Sequence, residues 1–417
     1  MRRKIAAALL ASALVLTACG GGDDDKAADG PVSLRMTIWT GNADHLALFN
    51  SIADEYRKTH PNVTEIKFDT LPIETYTTGL TTQIAGGNAP DLAWILENSA
   101  PDFVSSGALV PLKVEGSEDL IPSTTKLWQT GGKLYAYPFS TSPFGVFVNN
   151  DLIKQAGQQT PAELIAANQW TWEKAYAVNA AVNAGTGKGG LVVRDFDYKT
   201  WDNLASVWGG WGASPWSDDG KKCGFADQPM VDAMTAFHKA IFTDKAVPGP
   251  GTAPDFFAGN AAMTITQISR ASLLKDSKFG WDLVPLPAGP KGTYGVIGQA
   301  GIGVMKKGRN ADAAAGFLAY FTNPENSAKL AKYFPPPRKS LLTADNLAKT
   351  NPLLKPEQLQ KVVIDGISVG KVKPSHTGQA ELSQTVRAAL DPLWKPDADV
   401  KSVLGGVCSK IQPMLGK

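Results

Sequence analysis

The chain has 417 residues, with 41 Lys and Arg against 39 Asp and Glu, and is 43% hydrophobic. That near-neutral balance leaves no electrostatic footprint for nucleic acid, and the length suits two domains or one large one. The four histidines form no H-x-x-H or H-E-x-x-H pair and no G-x-S-x-G elbow is present, which argues against zinc or serine hydrolysis and calls for no cofactor.

The chain opens with Arg2, Arg3 and Lys4, an uncharged apolar run from Ile5 to Leu16, and then Thr17-Ala18-Cys19. A basic start, a short apolar segment and small residues before a cleavage point describe a secretory signal peptide. The run is shorter than the roughly 20 apolar residues of a membrane span. With a cysteine at the cleavage point, residues 1–18 resemble a bacterial lipoprotein signal. That resemblance implies acylation of Cys19, a lipid anchor in the cell membrane and an extracytoplasmic location. Residues 19–31, rich in Gly, Asp and Ala, have nothing to bury and read as a flexible tether. In an oxidising compartment the two remaining cysteines, Cys223 and Cys408, form either a disulfide or two free thiols.

Leu34, Met36 and Ile38 alternate on one face of a first strand that ends at Trp39. Leu46, Phe49, Ala53 and Tyr56 mark a helix over 44–59, stopped by Pro61. Ile66 and Phe68 place a second strand over 64–70, residues 76–85 read as a helix closed by Gly86-Gly87, and 91–95 is a short buried strand. This alternation specifies an α/β domain on a largely parallel sheet. Ligands bind such sheets outside the carboxyl ends of the strands, which points to Trp39 and to Trp94 through Glu97. Further on, helices are expected at 172–182 and 229–242 between Gly- and Trp-rich loops, and Gly185 to Gly189 reads as a surface turn. Strands are expected after Gly259, at 281–286 and at 298–305, with a helix at 312–321. Pro335-Pro336-Pro337 is a rigid break, and helices fill the remainder.

Eleven tryptophans are generous for this length. Trp39 and Trp94 sit at strand exits near polar residues, and Trp201, Trp208, Trp211 and Trp216 crowd a Gly- and Asp-rich stretch. A sugar offers C–H faces to aromatic planes and hydroxyls to Asn, Asp, Glu, Gln and Arg, so the pattern predicts a carbohydrate binder. A surface glycosidase is a competing reading. It needs two carboxyls across one bond, with Glu97 and Asp195 or Asp197 as candidates.

Several segments in order now resemble one family. Leu34 to Trp39 with its helix, Gly87-Asn88-Ala89-Pro90-Asp91, Gly132 to Pro138 followed by Asn149 to Leu152, Thr171-Trp172-Glu173, Phe257 to Thr264 and Trp281 to Pro287 are similar to blocks of the family 1 extracellular solute-binding proteins. These are maltose-binding-protein-like sugar receptors of ABC importers. The resemblance implies an α/β, two-lobed periplasmic-binding-protein fold of type II with three interlobe crossovers and a ligand cleft. It places the N-terminal lobe at 32–138 plus 300–335 and the C-terminal lobe at 145–295 plus 340–417, with hinges near 138–146, 295–299 and 335–338. Both Cys223 and Cys408 then fall in the second lobe. The implied partners are a sugar and the permease subunits, the implied state is a monomer without catalysis, and closure of the lobes on the ligand is the implied mechanism.

Carried over by this resemblance, the ligand-binding residues are Trp39, Asn42 and Asp44 after the first strand, with helix capping as the other role open to Asp44. Trp94, Glu97 and Asn98 follow the later strand, and Ser142 and Phe144 belong to the hinge. On the second lobe the candidates are Asp195 or Phe196 and Trp208 or Trp211. Gln299 and Arg338 lie at crossovers, Arg338 as ligand donor or hinge ion-pair partner. Many members place Gly-Pro-Trp after the segment matching Met263 to Ile265. Here Thr266-Gln267-Ile268-Ser269-Arg270 follows, so Gln267 and Arg270 offer polar contacts where a stacking tryptophan is missing. Rival readings on the same fold are an adhesion or sensor protein, or a receptor for a polyamine, an anion or a glycerophosphodiester. An anion requires basic residues facing the cleft, for which Arg194, Arg270 and Arg338 are the candidates.

Overall fold

The computed structural model describes residues 30–416. The expected leader, Cys19 and the tether through residue 29 lie outside the described residues. Strand β1 (Val32–Ile38) pairs in parallel with β2 (Val63–Thr70) and with β3 (Leu92–Leu96). The helix Ala43–Thr59 connects the first two, burying Phe49, Ile52, Ala53 and Tyr56 on one face as 3.6-residue periodicity requires. The helix Tyr76–Ala85 connects the next two. These elements match the sequence reading to within a residue or two.

After a two-residue hairpin, β4 (Gln129–Thr130) and β5 (Lys133–Leu134), comes β6 (Ala136–Asn149), nearly every residue of which is buried. Strands β7 (Gly189–Val193), β8 (Ala261–Gln267), β9 (Trp281–Val284), β10 (Gly295–Val304) and β11 (Gly370–Val372) complete the set. The main path runs β2-β1-β3-β10-β6-β8-β7, with β11 on β10 and β9 on β6. The expected parallel arrangement holds at β2-β1-β3 and at β7-β8, but β10 runs antiparallel to β3 and β6, and β6 antiparallel to β8. The physical reason is that β6 and β10 carry the chain across between lobes. The first part of β6 pairs with β10, and residues 144–148 pair with β8.

Two lobes result, each with its own interior. Lobe 1 packs β1, β2 and β3 with Phe49, Trp94, Trp128 and Phe139, and gathers Ala300 to Met305 and Phe317 to Leu330 from later in the chain. Lobe 2 has a core on each face of its sheet: Val146 and Val148 point into one, with Trp172, Trp208 and Leu404, while Phe147 points into the other, with Leu283 and Val363. That split follows from the two-residue period of a strand. Glycine allows close packing at Gly301, where an added Cβ would stand 2.8 Å from the Trp128 ring.

A disulfide joins Cys223 to Cys408 across 185 residues of sequence, with Cα atoms 5.5 Å apart. It ties the loop before the helix Gln228–Phe242 to the helix Val400–Ile411 and thereby staples lobe 2. The segment Pro335 to Arg338 docks on lobe 1: the N–H groups of Thr141 and Ile121 donate to the carbonyls of Pro335 and Pro337.

Candidate ligand-binding site

Because β1 and β3 run parallel, their carboxyl ends emerge at one edge of lobe 1. Tyr76 lashes the two together by donating to the carbonyls of Thr37 and Trp94, at 2.8 and 2.9 Å. Trp39 is half-buried at this edge, its ring 4.6 Å from that of Trp94. Trp94 itself is fully buried among Trp39, Phe49, Phe139 and Phe334. It is core, and the expectation that it contacts ligand is corrected: alternation along β3 turns it under the helix layer. Asn42 caps the helix, its Oδ1 accepting from the N–H groups of Asp44 and His45. Asp44 sits exposed in the first turn, where a carboxylate favours the helix dipole. Asn98 is exposed and accepts from Ser99 Oγ.

A cavity of about 200 Å³ opens beside the crossover strands, lined by Phe144, Arg194, Asp195, Asn203, Thr266, Gln267, Arg270 and Lys373. Pairing of β6 with β8 sets Phe144 opposite Gln267 and Gly145 opposite Thr266. Gly298 makes room for Gln267, whose amide occupies the space a Cβ there would need. Arg194 follows β7 directly and lies over the Phe257 ring at 4.9 Å. Asp195 sits between Arg194 (3.7 Å) and Arg270 (3.4 Å) on left-handed backbone, φ 59°, a conformation that Asp tolerates better than most residues. A second cavity of about 380 Å³, near Trp216, is lined only by residues between Gly212 and Pro229. It draws on neither lobe 1 nor the crossovers.

Behind the first cavity lies a buried charge cluster. Lys373 Nζ contacts Glu97 Oε1 and Asp202 Oδ2, both at 3.0 Å, and donates to Asn203 Oδ1 at 3.2 Å. The second oxygen of Glu97 accepts from the N–H of Gln299. Two carboxylates thus share one ammonium. Burial pushes the Glu97 carboxyl above its ordinary value against the pull of Lys373, and the two carboxylates hold the ammonium of Lys373 well above its own. Glu97 comes from lobe 1 and Asp202 from lobe 2, so Lys373 bridges them. Five residues on, the N–H of Gly378 donates to Asp102 of lobe 1 at 2.8 Å. Both Glu97 oxygens are thus engaged, and Asp195 lies between the two arginines. Asp197 pairs with Lys199 at 3.3 Å.

The structure thus brings together Phe144, Asp195, Gln267 and Arg270 in one cavity, with Glu97 directly behind Lys373. Ser142 is buried on β6 opposite Gly298, its hydroxyl without a partner among the described residues. Besides Trp94, five candidates are placed away from the cavity. Trp208 and Phe196 are buried in the lobe 2 core, and Trp211 packs against that core beside Trp172, 6.2 Å away. The Gln299 side chain is spent inside, accepting from Trp128 Nε1 at 3.2 Å and donating to the Thr124 carbonyl at 3.0 Å. Arg338 is 2% exposed and donates to the carbonyls of Gly116, Glu115 and Thr322, with Asp119 at 3.8 Å. It braces lobe 1 internally, which leaves the ion-pair role, with Asp119, of the two that the sequence left open. Sequence reasoning missed Asn203, Thr266, Asp202 and Lys373. Lys373 carries no local signal, since its partners lie 170 residues or more away.

Among known proteins, the family model for bacterial extracellular solute-binding protein matches residues 41–328. The chain is 26% identical over 353 residues to an uncharacterised lipoprotein in the oleD 5′ region of Streptomyces antibioticus, covering 79% of this chain and 75% of that one. It is 23% identical over 327 residues to the arabinooligosaccharide-binding protein of Bacillus subtilis (strain 168), covering 73% of each. The structure of the cyclic alpha-maltosyl-1,6-maltose binding protein from Arthrobacter globiformis superposes with a TM-score of 0.79 at 18% identity, over 92% of this chain and 99% of that one. A two-lobed fold with crossover strands, a polar cavity beside them and a family match over more than half its length agree: the chain belongs to the bacterial extracellular solute-binding protein family, the receptors of ABC importers.

Proposed function

We propose that the protein is a lipid-anchored receptor that binds a sugar or oligosaccharide in the cavity beside β6 and β10 and delivers it to the permease, without catalysis and as a monomer. The observation that carries this reading is the cavity lining: Gln267, Asn203, Thr266 and Arg270 offer hydroxyl-binding groups around Phe144, the mixture a pyranose ring requires. The relatives' names, an arabinooligosaccharide receptor and a cyclic maltosyl-maltose receptor, support the same class. On this reading Trp39, Asn42, Asp44 and Asn98 form the lobe 1 rim of the cleft.

The hinges are the crossovers at 138–146, 295–299 and 335–338, where few backbone angles need to change for the lobes to close. A ligand touching both lobes prefers the closed form, and a differential affinity of about 5 kcal/mol takes the population from mostly open to mostly closed. Lys373 couples that closure to the site, because its two carboxylate partners come from opposite lobes. Calorimetric titration of residues 31–417 with mono- and oligosaccharides tests the reading, with small-angle scattering on any hit. Binding with a contracted radius of gyration supports it; binding only of amines or peptides overturns the sugar assignment.

A further inference from the structure

We infer that the sugar this site takes carries an anionic substituent, a carboxylate or a phosphoryl group, held by Arg194 and Arg270. The inference rests on the sugar-receptor reading and narrows it. The cavity lining contains three cations, Arg194, Arg270 and Lys373, and one carboxylate, Asp195. The two carboxylates that neutralise Lys373 stand behind it and are absent from the lining. Lys373 is thus already matched, and the cationic pair left to a ligand is Arg194 and Arg270, which share the single carboxylate of Asp195.

The two guanidiniums are poorly satisfied as they stand. Their contacts to Asp195, at 3.7 and 3.4 Å, are longer than the roughly 2.7–2.9 Å of a good charge-assisted hydrogen bond. Arg194 Nε has no hydrogen-bond partner among the described residues, with Asp195 Oδ1 standing 3.7 Å away. The guanidinium of Arg194 lies over the Phe257 ring, 4.9 Å from its centroid, a cation–π contact that favours this position. Asp195 is more than half exposed and held on left-handed backbone. It is a weak internal stand-in for a better acceptor. A planar guanidinium is suited to bidentate recognition of a carboxylate or a phosphoryl oxygen pair. Around it, Gln267 and Thr266 remain for ring hydroxyls. The volume of about 200 Å³ is below the roughly 300–1,000 Å³ of drug-sized pockets, which suits one charged ring at this position.

Calorimetric titration of the mature chain with glucuronate and galacturonate, with glucose and galactose, and with glucose 6-phosphate tests the inference. Inorganic phosphate and acetate serve as controls. A hydrogen bond to a charged group contributes about 1.5–3 kcal/mol, so an acidic sugar is expected to bind roughly 10- to 100-fold tighter than its neutral parent. Whether the uronate or the phosphate is preferred distinguishes the two sources of negative charge. Arg194→Gln and Arg270→Gln narrow the acidic-to-neutral ratio by about tenfold or more, with ligand-free thermal midpoints reporting that the variants fold. Asp195→Asn widens it. A neutral sugar binding as tightly as its acidic counterpart overturns the inference and leaves the sugar receptor standing. Phosphate or acetate binding as tightly as any acidic sugar, or no sugar binding at all, overturns both.

Discussion

On the proposed reading, lobe 1 and lobe 2 line one cleft with different chemistry. Lobe 1 contributes strand exits: a half-buried Trp39, the exposed Asn98 and one carboxylate, Glu97, already engaged. Lobe 2 contributes loops after β7 and β8 that carry Arg194, Asp195 and Arg270. The tryptophans that made the sequence look like a sugar binder mostly serve the interiors. Trp94 fills lobe 1, and Trp172, Trp201 and Trp208 fill lobe 2. What distinguishes the site is charge placement, and Lys373 is the residue that joins the two walls.

The largest effect is expected from removing that joint. Lys373→Met leaves two buried carboxylates without their cation, and breaking a buried pair in this way costs about 3–5 kcal/mol. Urea unfolding measures it, and a loss below about 1 kcal/mol would mean the lobes do not depend on the bridge. Trp94→Ala is expected to cost a similar amount, about 3–5 kcal/mol, as a core truncation. Trp39→Ala is expected to cost less stability and more ligand affinity. If the two variants exchange these effects, the assignment of Trp94 to core and Trp39 to rim is wrong.

Next comes a test confined to lobe 2. Opening the Cys223–Cys408 disulfide, by reduction or by Cys223→Ala with Cys408→Ala, frees a loop of 185 residues and is expected to cost about 2–5 kcal/mol. Denaturant curves of oxidised and reduced protein read this directly. The smallest effect is the pH response of Glu97. Burial raises its carboxyl in the folded protein, so its ionised form is less favoured there than in the unfolded chain. Its contribution to stability therefore falls as pH rises through the carboxylate range, toward the raised folded value. The stability difference between wild type and Glu97→Gln should decline over that window. A difference that grows with pH would mean Lys373 outweighs burial at this site.

Much of the framework was legible in the sequence. Alternation in Leu34, Met36 and Ile38, the stop at Pro61 and the Gly86-Gly87 closure fixed β1 and the first two helices, because those signals are local. The lone cysteine pair allowed the disulfide, although composition alone left free thiols equally open. Harder to read was β6, since Pro138 and Pro143 look like strand breakers and yet lie inside a crossover strand. The site was legible only in part. Gln267 and Arg270 stood out because they replace an expected tryptophan, and Asp195 only as one of a pair with Phe196 that the family resemblance implied. A sequence does not say which face of β3 a tryptophan takes, so Trp94 misled. Arginine is rarely buried, so the interior role of Arg338 was masked. Lys373 is defined only by tertiary contacts with Glu97 and Asp202.

The most direct test of the sugar-receptor account is thermal unfolding of residues 31–417 against neutral sugars, acidic sugars and non-sugar solutes. A sugar at about 1,000 times its dissociation constant stabilises by roughly 4 kcal/mol, which raises the midpoint by several degrees. The account predicts such a rise with one class of sugar. No rise with any sugar, together with a rise for amines or peptides, would contradict it.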